Sequence, residues 1–99
     1  MLDFYIINDN QSSPAFPEQL GLEFIGGLNE IIFENLQNKE IIDTRFDYYS
    51  DFRLDVLQIR QIRQNIIQKK LQNDSDVKSL IYLLDFADNK QSGLIAFGD

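Results

Sequence analysis

The chain has no cysteine and no histidine among its 99 residues. Without cysteine there is no disulfide and no thiol chemistry, which fits a reducing compartment. Without either residue, zinc sites of the usual Cys/His type, His-based catalytic triads and imidazole pH switches are excluded. Long apolar runs are missing too. The longest beyond the start, Leu80–Leu84, is far too short to cross a bilayer. The opening "MLDFYIIND" carries an acid at position 3 and no basic region, unlike a signal peptide, so the expected location is the cytoplasm. No calcium-loop pattern occurs, and "FIGGLNE" lacks the lysine and the spacing of a phosphate-binding loop.

Positive charge is scarce. Nine Lys and Arg stand against sixteen Asp and Glu, giving a net charge of −7 and a pI near 4.4. Such a field keeps a protein soluble, repels phosphate backbones and anionic membranes, and attracts basic proteins. The charge is uneven. Residues 1–55 hold eleven acids against three bases, whereas residues 56–99 hold five against six. An electrostatic partner is therefore expected on the first half of the chain, and nucleic acid and membrane are not expected as partners.

What is present suffices for one domain spanning residues 1–99. Hydrophobic residues make up 43% of the chain, including eight Phe and four Tyr, enough to build a single core. Leu2–Ile7 is rich in aromatic and β-branched residues and ends in the turn cluster Asn8-Asp9-Asn10, which predicts a first strand. Residues 8–17 form a loop with two prolines, and Pro17 opens a short helical turn stopped by Gly21. Leu22, Phe24 and Ile25 extend briefly before a sharp turn at Gly26-Gly27. Apolar residues at 28, 31, 32 and 36 predict a helix that stops near Asn38. Ile41–Phe46 reads as a short extended piece. Ser50 is a credible N-cap for a long helix to about Gln72, followed by a last helix from Asp74 or Ser75 to about Asn89 with an apolar stripe of Val77, Leu80, Ile81, Leu84 and Ala87. Leu94–Phe97 reads as a final strand. The expected fold is α+β: a small antiparallel sheet that includes the N- and C-terminal strands, with a third strand from 22–25 or 41–46, packed against about three helices.

Two features of the long helix bear on function. Arg63 falls amid Ile59, Ile62 and Ile66, where its stem can lie on apolar surface and its guanidinium can meet a carboxylate, either as a structural pair or as an anchor for an acidic loop at Asp47 or Asp51. Leu54 and Leu57 fall off the main stripe and suit a second layer or an interface. The stretch "RFDYYSDFRLD", residues 45–55, mixes large aromatics with Asp47, Asp51 and Asp55. At i, i+4 and i+8 these acids would form one ridge on an early-starting helix, and such a ridge calls for cations, internal or on a partner. Two readings stay open: capping and packing, or a partner-facing surface in which exposed tyrosine is a strong interface residue. The partner-binding candidates are Asp47, Tyr48, Tyr49 and Asp51, with Glu40 and Asp43 beside them. No catalytic residue, metal ligand or cofactor is assigned, because acidic pairs are inevitable among sixteen acids.

In "RFDYYSDFRLD" and the ending "SGLIAFGD" the chain resembles a group of small bacterial proteins that is similar to immunity proteins of polymorphic or contact-dependent toxin systems. Where that group often has an aromatic after the arginine, this chain has Leu54. The resemblance implies a non-catalytic protein, monomer or weak homodimer, that binds a cognate toxin of basic charge, such as a nuclease, and occludes its active site. Two other classes remain beside it: a homodimeric interaction or regulatory module, and a small metal-dependent hydrolase.

Overall fold

The computed structural model describes residues 1–98. Asp99, the last residue of the "SGLIAFGD" segment, lies outside the described residues. The expected fold class is found: a four-stranded antiparallel sheet and three α-helices. The strands are β1 (Leu2–Ile7), β2 (Phe24–Leu28), β3 (Phe52–Leu54) and β4 (Gly93–Phe97), in the order β2-β1-β4-β3. The two terminal strands therefore lie side by side in the middle, with Phe4 opposite Ala96 and Ile6 opposite Leu94. The inner positions are where a strand satisfies backbone groups on both edges.

Alternation along β1 sets the two faces. Leu2, Phe4 and Ile6 turn toward the helices, as do Leu94 and Ala96 of β4. The helices are α1 (Glu30–Asn38), α2 (Val56–Gln68) and α3 (Ser75–Asn89). α3 lies across β2, β1 and β4, with α1 and α2 packed beside it. Its expected stripe is largely the core: Val77, Leu80, Leu84 and Ala87 are fully buried, joined by Leu83, while Ile81 is only partly buried against them. On the other face Ile7 and Ile95 are also buried, although they stand outside the main core cluster. Arg53, opposite Ile95, holds the 8–13 loop there, donating to the carbonyls of Gln11 at 2.6 Å and Asn8 at 3.0 Å.

Several boundaries differ from expectation, each for a local reason. The long helix does not begin at Ser50. Phe52–Leu54 is an edge strand paired with Leu94–Ala96, and α2 starts only after Asp55. Asp55 accepts from the Gln58 amide at 2.7 Å while the Gln58 side chain accepts from the Asp55 amide at 2.8 Å. This reciprocal capping box satisfies two orphan amides, which Ser50 has no partner to do. The helix ends at Gln68 because Lys70, at φ 58°, breaks the right-handed geometry. Gly26-Gly27 is no turn but lies inside β2, where a side chain at Gly27 would strike the backbone carbonyl of Leu2 at 2.9 Å. α1 begins at Glu30, capped by Asn29, and Leu28 ends the strand instead. Ile41–Phe46 is irregular, held in place by buried Ile41 and Ile42.

Candidate functional site

The segment from Lys39 to Asp51 runs between α1 and β3 with no helix or strand of its own. Its conformation is nevertheless fixed from beneath. The Phe46 ring stacks on Phe52 at 4.5 Å, and Tyr48 leans on Phe33 of α1 at 5.7 Å. The Gln37 side chain donates to the Phe46 carbonyl at 2.8 Å and to that of Asp43 at 3.2 Å. Buried aromatics and a bidentate amide are the devices that let an irregular loop hold one shape.

On this base the acids are displayed outward. Asp47 closes a tight turn by accepting from the Tyr49 amide at 2.9 Å. Tyr49 swings over α1, where its hydroxyl donates to the Glu30 carboxylate, and 57% of its surface is exposed. That bond, followed by burial and the nearby negative charges, raises the Tyr49 pKa above its ordinary 10.0. Glu34 stands one helical turn beyond Glu30 on the same exposed side. Asp51 accepts from the Gly98 amide at 3.1 Å, tying the loop to the end of β4. Glu30, Glu34, Asp47 and Tyr48 line a groove of about 460 Å³ between helix and loop. Beyond Phe46 and Arg45, which wall both, an apolar cleft of about 350 Å³ opens toward α2.

The expected site residues thus divide. Asp47, Tyr48, Tyr49 and Asp51 stand together beside the groove, with Tyr48 half-buried and spent largely on packing. Glu40 and Asp43 sit apart, on the rim of the apolar cleft. Each has its own cation: Lys69 at 3.5 Å from Glu40, and Arg45 at 3.8 Å from Asp43. The ridge of Asp47, Asp51 and Asp55 does not exist, because no helix runs through it; the three carboxylates serve a turn, a strand end and a helix cap. Arg63 anchors none of that loop. It pairs with Asp85 and Asp88 of α3, both at 2.5 Å. Leu54 is buried in β3, so its place in the signature is a core position.

The pattern of ion pairs separates the acids. Lys39 holds Asp74 and Asp76, Arg63 holds Asp85 and Asp88, and Lys90 reaches Glu23. Among the described residues, Glu30, Glu34, Asp47 and Asp51 have no cation within ion-pair distance. Glu30 and Glu34 were outside the candidate set; their spacing of four in a predicted helix next to the aromatic stretch was the available signal. Among the described residues no group of three or more acidic side chains is placed to hold a metal ion, and no helix is long and apolar enough to cross a membrane.

No known family model matches the chain, and no curated protein matches it in sequence. Its fold does have a solved counterpart. The Neisseria DNA mimic protein DMP12 superimposes with a TM-score of 0.63 at 20% identity, over 97% of this chain and 97% of that one. At that identity the likeness is one of fold. It nonetheless overturns the partners expected from the sequence, a cognate basic toxin such as a nuclease and no nucleic acid, because the counterpart is one named as a DNA mimic.

Proposed function

We propose that this chain binds a DNA-binding protein and occupies the basic surface on which that protein holds DNA. One observation carries the reading: Glu30, Glu34 and Asp47 line one groove with no cation within ion-pair distance, its Arg45 being paired with Asp43, and Asp51 stands on the adjoining loop, in a fold shared with a DNA mimic protein. Duplex DNA is read by most of its partners first as a line of fixed negative charges. Carboxylates held on a rigid framework offer the same charge to the same lysines and arginines. A net charge of −7 steers encounter with such a surface. Exposed Tyr49, bonded to Glu30, adds a large, stiff contact beside these acids, the kind of residue on which interface energy concentrates. The action is occlusion, with no chemical step.

The test is competition. A protein captured by this chain from the native cell's extract should bind duplex DNA on its own and release it as the chain is added, more readily at low than at high salt. Capture of a protein with no affinity for DNA removes the reading.

A further inference from the structure

The sheet face turned away from the helices carries a row of aromatics that the chain covers only at one end. Residues after β1 fold back over Ile7 and Ile95, which are buried. At the other end Tyr5 is flanked edge-on by Phe24 of β2 at 5.4 Å and Phe97 of β4 at 5.7 Å. Phe24 is 56% exposed. Two acids stand by the row. Asp3 shares the outer face of β1 with Tyr5 and lies opposite Phe97, and Glu18 comes from the short helical turn Pro17–Gln19. Burial, then the charges of Asp3 and Glu18, raise the Tyr5 pKa. Neither acid has a cation within ion-pair distance among the described residues. The row ends beside the acidic loop: Phe97 is followed by Gly98, whose amide binds Asp51.

We infer that this outer face extends the docking surface, and that its occupant is an arginine-bearing segment of the same basic partner. The inference rests on the proposed function. Guanidinium is planar and weakly hydrated, so it lies flat on aromatic faces while its N–H groups reach carboxylates at the ring edge. Phe24, Tyr5 and Phe97 supply the faces, and Asp3 and Glu18 supply the carboxylates. A second copy of this chain suits the face poorly. It would set Asp3 and Glu18 against their own copies and bring together two molecules of net charge −7.

The experiment uses a nonaarginine peptide as probe and isotope-labelled protein observed by NMR. Fully extended, nine residues reach about 30 Å, longer than two of the molecule's three principal extents, 27 and 20 Å. The expected result is that amides of Asp3, Tyr5, Glu18 and Phe24 shift along one isotherm with those of Glu30, Glu34 and Asp47. Phe24→Ala, at an exposed position, should keep the spectrum of a folded protein and weaken the peptide by about threefold, the scale of one exposed cation–π contact. Movement of the groove amides alone overturns this inference and leaves the proposed function standing. Movement of neither set, or equal movement at Asp85 and Asp88, overturns both. Shifts at Phe24 that depend on protein concentration without peptide make the face a contact between copies and overturn the inference.

Discussion

The backbone of Tyr49 lies so close to Gly98 that a β-carbon at Gly98 would stand 2.5 Å from the Tyr49 carbonyl carbon. The two segments set apart in the sequence, "RFDYYSDFRLD" and "SGLIAFGD", are therefore one structural unit. The end of β4 is the floor on which the acidic loop rests, and the Gly98 amide bond to Asp51 fastens it.

Gly98→Ala should thus act on the site although Gly98 itself presents no functional group. The obstructing atoms are backbone, including the Ser50 amide nitrogen and the Tyr48 carbonyl oxygen, both at 2.7 Å, so they cannot rotate away. Overpacking of this kind costs about 1–3 kcal/mol. Urea denaturation should show that loss, and amide shifts should be largest for residues 47–51.

Asp55→Ala should cost about 1 kcal/mol, because it removes the side-chain acceptor of the Gln58 amide in the capping box at α2. Ser50→Ala should change stability by less than about 0.5 kcal/mol, as expected for an exposed residue that caps nothing. Paired urea titrations decide between the two starts of the helix. An equal loss in both variants would contradict the placement of β3.

At alkaline pH, stability should fall as the tyrosines ionise. Tyr49 is raised above 10.0 by its bond to Glu30, and Tyr5 is raised by burial and then by Asp3 and Glu18. A folded-state value above the unfolded one gives a contribution that is whole below pH 10.0 and lost as the pH climbs through the folded value. Glu30→Gln should bring the Tyr49 titration back toward its ordinary value, followed by phenolate absorbance. No change would mean that the hydroxyl has another partner.

Asp74 contributes to the acid limb. Its hydrogen bond from Lys39, then that from the Val77 amide at the start of α3, depresses its pKa below the usual 3.8, while Asp74 and Asp76 raise Lys39 above 10.5. The stabilising effect is therefore present above pH 3.8 and below pH 10.5 and fades beyond each folded-state value. Lys39→Met should lower the melting temperature at neutral pH, and the difference from wild type should vanish in strong acid. A difference that persists there would show that lost packing of the lysine stem, not charge, is responsible.

Periodicity made most of the fold legible. The stripe of α3 and the run of β1 announce themselves because each repeats one spacing over several residues. Residues 50–58 did not, since Ser50 and Asp55 are both credible caps and only pairing with the distant Leu94–Ala96 chooses between them. Gly26-Gly27 misled for a related reason: glycine reads as a turn, and only the nearness of Met1 and Leu2 shows that β2 needs its bareness. The site was half legible. Asp47, Tyr48, Tyr49 and Asp51 are neighbours in sequence, so their clustering could be seen there. Glu30 and Glu34 join them through a tertiary contact at Tyr49, Glu40 leaves them through an ion pair with distant Lys69, and Asp43 through one with its near neighbour Arg45.

Carboxylates without ion-pair partners at the α1–loop groove are the proposed contact with a DNA-binding surface. Capture from the native cell's extract on immobilised wild-type protein, beside a folded Glu30→Lys, Glu34→Lys, Asp47→Lys variant, tests it most directly. Wild type should retain a DNA-binding protein, excess duplex DNA should release it, and the variant should not retain it. Equal retention by the variant, or retention that excess duplex DNA leaves untouched, would contradict it.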